Sequence, residues 1–268
     1  MRESSTKRVA SLHGKSIILS TSIPNKNRDS KYRRVAEAHL HIEEAVISLA
    51  RAVLVADGQL VFGGHPSIAH LISQVAAEYA LPFAKERSGN KAGIIIYQSR
   101  VFEDVVPEAT KTMFKSGYAE IRWVEPAEGE KWSSGSVPGD PAYPIESLNR
   151  MRVKMITDTA PCALVCIGGM EGVEQEARLF HELQTDAPVF VIASTGGAAS
   201  VLKEQANFIR AIDLTIMDGL VCRQSEVGHD KACSGYDAWT VPYPLIMQVI
   251  VRELAQRGDT QDWQHVED

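Results

Sequence analysis

The stretch ALVCIGGMEGVEQEARLFHEL, Ala163–Leu183, decides the fold. Its first five residues, Ala163–Ile167, are apolar on both sides, the pattern of a strand buried on both faces of a parallel sheet. Gly168-Gly169 breaks the run, and Val173, Ala177, Phe180 and Leu183 then recur at helical spacing. A strand thus passes through a short glycine joint into a helix. Working outward, the unit repeats. Ser16–Ser20 (SIILS) is a short buried strand, followed by a polar loop, Thr21–Lys31, and an amphipathic helix from about Arg34 to Ala56 that Gly58 ends in a left-handed cap. Gln59–Phe62 runs into Gly63-Gly64 before a helix carrying Ile68, Leu71, Ile72, Val75 and Tyr79. Gly93–Tyr97 is a third strand, Glu108–Lys115 a short helix and Glu120–Val124 a short strand. Glu125–Pro144, rich in Gly, Pro and Ser, reads as a long loop of the kind that often carries function. Ile145–Thr157 is a helix, Val189–Ile192 a strand, and Ala198–Ala211 and Leu245–Gln256 are the last helices. This alternation predicts an α/β, Rossmann-like fold: a doubly wound, mostly parallel sheet with helices on both faces.

Composition agrees with one globular domain over residues 1–268, with 1–15 as a flexible start. Hydrophobic residues make up 44% and charged residues 23%, so the chain can bury a core without a disulfide or metal. The net charge of −6 argues against a nucleic-acid partner. It is unevenly spread, because residues 1–34 hold nine Lys/Arg against two acids. Lys26, Arg28, Lys31, Arg33 and Arg34 lie in or just after the loop leaving the first strand, either as a solvated loop or as a basic lid for a phosphorylated small molecule. No apolar run spans a membrane and no secretory segment opens the chain, so a cytoplasmic protein is expected. Cys162, Cys166, Cys222 and Cys233 form no CxxC pair and read as free thiols, with neither metal nor cofactor.

Ligands of open α/β sheets sit beyond the carboxyl ends of the strands, where glycines admit a phosphate to backbone N–H groups and helix N-termini. Three joints have that character: Ser20-Thr21-Ser22, Gly63-Gly64, and Gly168-Gly169 with Gly172. Each could equally be a tight turn, but three in one sheet favour a nucleotide site. His65 either caps the next helix or meets a base or phosphate. Thr195, Gly196 and Gly197 either hold a second phosphate or turn the chain. Neither GxGxxG nor GxxxxGK[ST] occurs.

Two stretches carry a resemblance to a family. QLVFGGHPSIAHLISQVAA, Gln59–Ala77, resembles the strand–GGG–helix element of the LONELY GUY phosphoribohydrolases and the wider SLOG superfamily. MRVKMITDTAPCALVCIGGMEGVEQE, Met151–Glu176, resembles the second element, an arginine on a helix followed by a strand and a PGGxGTxxE loop. Arg152 lies sixteen residues before Gly168, and Glu176 best occupies the place of the family glutamate. His65, Ile167 and Val173 replace the third glycine, the proline and the threonine, and Glu171 is inserted. These changes point toward SLOG branches of bacterial nucleotide-signal conflict systems. The loop 98–143 and the C-terminal forty residues are unmatched.

The resemblance implies a small-molecule nucleotide as partner, with Ser20, Thr21, Gly63, Gly64, His65, Gly168, Gly169, Gly172, Thr195 and Gly196 binding it. Splitting an N-glycosidic bond needs a carboxylate near the anomeric carbon, which Glu176 would supply with Arg152 orienting it. Glu176 could instead be one of several solvated helix glutamates, beside Glu171, Glu174 and Glu182. The enzymatic reading is therefore a nucleotide or NAD-like N-glycosidase. Its alternative is a sensor that binds an NAD-derived or cyclic nucleotide without turnover and acts on an effector partner chain. A homo-oligomer, dimer or higher, is expected through the small-residue side of the Ala36–Ala56 helix.

Overall fold

A computed structural model describes residues 10–24, 32, 38–83, 93–134, 136, 140–205 and 241–259. Six strands form one all-parallel sheet: β1 (Ser16–Ser22), β2 (Gln59–Phe62), β3 (Ile94–Ser99), β4 (Ala119–Val124), β5 (Ala163–Gly168) and β6 (Val189–Ile192). Their order is β4-β3-β2-β1-β5-β6. The helices are α1 (Ala38–Val55), α2 (Pro66–Phe83), α3 (Glu108–Lys115), α4 (Ile145–Thr159), α5 (Glu171–Leu183), α6 (Gly197–Glu204) and α7 (Tyr243–Asp259).

Strand alternation divides the core. Ile17, Leu19, Leu60, Phe62, Ile94 and Ile96 pack with α1, α2 and α7 on one face. Ile18, Val61, Ile95, Leu164 and Cys166 pack with α4, α5 and α6 on the other. The first three crossovers thus step outward from β1 to β4 over one face, and α4 returns across the opposite face to β5. The winding reverses between β1 and β5, the position at which such sheets open a crevice.

Two sequence expectations need correcting. Ser20, Thr21 and Ser22 are not a turn but the end of β1, paired with Cys166, Ile167 and Gly168 of β5. The left-handed residue after α1 is Asp57, not Gly58. Gly58 is needed for space instead, since a Cβ there would stand 2.9 Å from Leu12 Cβ. The small residues Ala45 and Ala50 of α1 are fully buried inside the chain, where α1 packs against α2 and α7, so they offer no surface to a second copy. The basic residues Lys26, Arg28, Lys31, Arg33 and Arg34 lie outside the described residues, as do Cys222, Cys233 and the end of the Ala198–Ala211 helix. Among the described residues, no helix is long and apolar enough to cross a membrane, and no cluster of three His, Cys, Asp or Glu could hold a metal.

Candidate functional site

A cavity of about 760 Å³ opens over the carboxyl ends of β1, β2 and β3, walled by α4, the first turns of α5 and the loop before α4. Its volume is in the range of small-molecule sites. The strands bring Ser20 and Thr21 from β1, Gly63, Gly64 and His65 from beyond β2, and Gln98 from β3. The helices bring Arg152, Gly172 and Glu176.

The central polar pair is built by two helix faces. Arg152 lies on the inward face of α4 with Met151, Met155 and Ile156, and is only 5% exposed. Glu176 sits on α5 beside the buried row Val173, Ala177 and Phe180. Arg152 Nε donates to Glu176 Oε1 at 3.2 Å, and its Nη1 donates to Gln175 Oε1 at 2.7 Å and Asn149 Oδ1 at 3.1 Å. Its Nη2 fits against the α5 backbone only because residue 172 is glycine: a Cβ there would stand 2.8 Å from that nitrogen. The Glu176 side chain is 14% exposed, so it is not the solvated glutamate of the alternative reading. Burial first, and the Glu176 carboxylate second, push the Cys166 thiol on β5 upward.

Glu174 is also buried, with Tyr32 Oη donating to it at 2.6 Å, so the helix dipole does not by itself account for this glutamate. Tyr32 is thereby bonded to α5.

At the second joint, Gly64 passes so close to Gln98 that a Cβ would overlap the amide oxygen. His65 is the N-cap of α2: its Nδ1 accepts the Ser67 N–H at 3.2 Å, and its carbonyl accepts the N–H of Ala69. The neutral ring then carries its proton on Nε2. Although the ring is exposed at the cavity wall, surrounding protein density lowers its pKa.

The third joint divides. Gly172 lines the cavity, whereas Gly168, Gly169, Thr195 and Gly196 do not. Gly168 N donates to Thr195 Oγ1 at 2.7 Å, that hydroxyl donates to Ile192 O, and Gly169 N donates to Ser22 O. These groups knit β1, β5 and β6 together behind the site. Gly168 has φ +56, and a Cβ on it would overlap Ile42 of α1.

Sequence reasoning missed Gln98, Gln175 and the aromatic wall of Phe102, Trp132 and Tyr143 in the cavity, and Asn149, which accepts from Arg152. Gln98 was within reach, since it ends β3 as Ser20 and Thr21 end β1. Ser20 Oγ, Thr21 Oγ1 and Gln98 Oε1 share a further property. Each belongs to a residue more than nine-tenths buried, and none has a hydrogen-bond partner among the described residues.

Residues 31–218 match the model of the SLOG cluster3 family. The chain belongs to that family. The match runs from the segment after β1 through α6, so this SLOG protein carries both the Gly63-Gly64 joint and the Arg152–Glu176 pair inside the matched region. A solved structure of TM1055, a Northeast Structural Genomics Consortium target, is similar at 14% identity, over 71% of this chain and 81% of that one, with a TM-score of 0.41. No curated protein matches.

Proposed function

We propose that this SLOG protein acts in the cytoplasm, binds a nucleotide in the cavity over β1–β3 and cleaves its N-glycosidic bond. The observation that carries the binding reading is that Ser20, Thr21 and Gln98, whose buried side-chain oxygens have no hydrogen-bond partner among the described residues, are residues of the cavity wall. Buried polar atoms are otherwise satisfied nine times in ten or more, and ribose hydroxyls are donors suited to these acceptors. Arg152 Nη2 and the N-terminal turn of α5 suit a phosphate. Glu176, fixed by Arg152 Nε, would offset the positive charge that grows on the ribose as the C1′–N bond breaks. Water adds its hydroxide to C1′ and its proton leaves with the base.

Binding without turnover is the second reading, favoured by Val173. Where the family loop carries a hydroxyl, this side chain is buried and packed against Gly169. Purified protein incubated with nucleoside monophosphates, NAD and cyclic ADP-ribose, followed by chromatography for free base, separates the two. Base release that disappears in Glu176→Ala supports cleavage, and release that survives it removes Glu176 from the chemistry. Binding without release leaves the sensor, and neither binding nor release refutes both. A homo-oligomer is proposed as well, through a surface other than Ala45 and Ala50; a light-scattering mass of one chain would exclude it.

A further inference from the structure

The first residues of the stretch Glu125–Pro144 are bonded to helix α4. The Glu130 carboxylate accepts the N–H groups of Glu146 at 3.0 Å and Ser147 at 2.6 Å, capping α4 from outside the helix. Ser147 Oγ accepts Ala127 N–H at 2.9 Å, and Arg150 donates to Pro126 O. The loop therefore rests on the same helix that carries Arg152.

What it holds there is aromatic. Trp132 and Tyr143 of the loop flank Phe102 from the 3-10 turn after β3, with ring centroids 6.4 Å and 6.1 Å from it. All three line the cavity and stay only half-buried, and none joins either hydrophobic core of the sheet. Apolar rings fixed at a cavity wall, outside the core, serve a ligand better than they serve folding. Gln98 heads the segment that carries Phe102 and is a residue of the same cavity wall, with its amide oxygen buried and unpartnered among the described residues. An amide offers both a donor and an acceptor, the set that a nucleobase edge requires.

We infer that Phe102, Trp132 and Tyr143 form the base subsite of the cavity, with Trp132 as its stacking residue and Gln98 at the edge of the stacked base. This rests on the nucleotide reading and names which part of the ligand the loop recognises. The wall selects for a planar aromatic group whichever base that is, because every base has a π-face.

The test is calorimetric binding of AMP, GMP, CMP, UMP and ribose 5-phosphate to wild type, Trp132→Ala and Trp132→Phe. Stacking predicts that Trp132→Ala weakens the best-bound nucleotide by roughly fivefold to a hundredfold while ribose 5-phosphate binding holds, and that Trp132→Phe recovers most of the loss. Nucleotide affinity unchanged in Trp132→Ala overturns the base subsite and leaves the nucleotide reading intact. Equal loss of nucleotide and ribose 5-phosphate makes the wall structural and also overturns it. Wild type that binds none of the five fails the nucleotide reading itself, and the subsite with it.

Discussion

Replacing Arg152 by methionine tests whether α4 and α5 are joined by one polar network. Methionine keeps much of the stem's volume and packing but withdraws donors from Glu176, Gln175 and Asn149 together. Both side chains of the ion pair are buried, at 6% and 14% exposure, so water compensates little. Leaving one member of such a pair uncompensated costs about 3–5 kcal/mol. Glu176→Gln should be milder. The amide oxygen can still accept from Nε, and Gln175 and Asn149 still serve Nη1, so only the charge-assisted part is lost, about 1–2 kcal/mol. The two substitutions should therefore differ by roughly 2 kcal/mol, and the double variant should lose at least about 1 kcal/mol less than their sum. Urea unfolding of the three variants, compared at unchanged m, measures this. Equal costs that add, each below about 1 kcal/mol, are the behaviour of a surface ion pair and would refute the network.

Three further outcomes follow from neighbouring contacts. Gly168→Ala, at φ +56 with its Cβ overlapping Ile42, should cost about 2–4 kcal/mol. Gly129→Ala, at φ +78 with nothing within 4 Å, should cost about 1 kcal/mol, and thermal melts compare the two. His65→Ala should lose about 1 kcal/mol of α2 capping that His65→Asn largely keeps; equal melting temperatures would show that the cap contributes nothing. Desolvation pulls the Glu130 carboxyl up, but the hydrogen bonds from Ser147 and Glu146 outweigh it and hold the pKa below its ordinary value. Its stabilisation is therefore full above the unfolded-state pKa and fades as pH falls through the folded one. Wild type should exceed Glu130→Gln in unfolding free energy at pH 7, with the gap closing in acid, and a gap independent of pH would contradict this.

The reach of sequence reasoning can be judged at the strand ends. Helix α3 and strand β6 coincide with the expected Glu108–Lys115 and Val189–Ile192, because apolar periodicity and burial agree there. Arg152 and Glu176, which the resemblance brings together, are hydrogen-bonded to each other in the structure. β1 and β3 each run two residues beyond the apolar pattern, through Thr21-Ser22 and Gln98-Ser99. Those residues pair normally with neighbouring strands, but their side chains are polar, so the apolar pattern stops short of them and Thr21-Ser22 reads as a turn. The aromatic wall was illegible for another reason. Phe102, Trp132 and Tyr143 have no periodicity, and meet only because Glu130, in the same loop, caps a helix sixteen residues on.

The misread strand ends and the binding hypothesis have a common cause. A strand that ends in apolar residues seals the sheet; one that ends in buried serine, threonine or glutamine stays stable only if something satisfies those groups. In β5 the sheet supplies the partner itself, since Thr195 accepts from Gly168 and donates to Ile192. The buried oxygens of Ser20, Thr21 and Gln98 have no such provision among the described residues, and all three residues belong to the wall of one cavity. The same chain thus closes one switch-point strand with its own hydroxyl, and the proposed function assigns the neighbouring strand's hydroxyls to the nucleotide. Replacing Ser20 and Thr21 by Ala and Val, close in shape, should then leave stability within about 1 kcal/mol or raise it while weakening nucleotide binding. A double variant that unfolds readily and binds as wild type would place these hydroxyls in the fold rather than in the site.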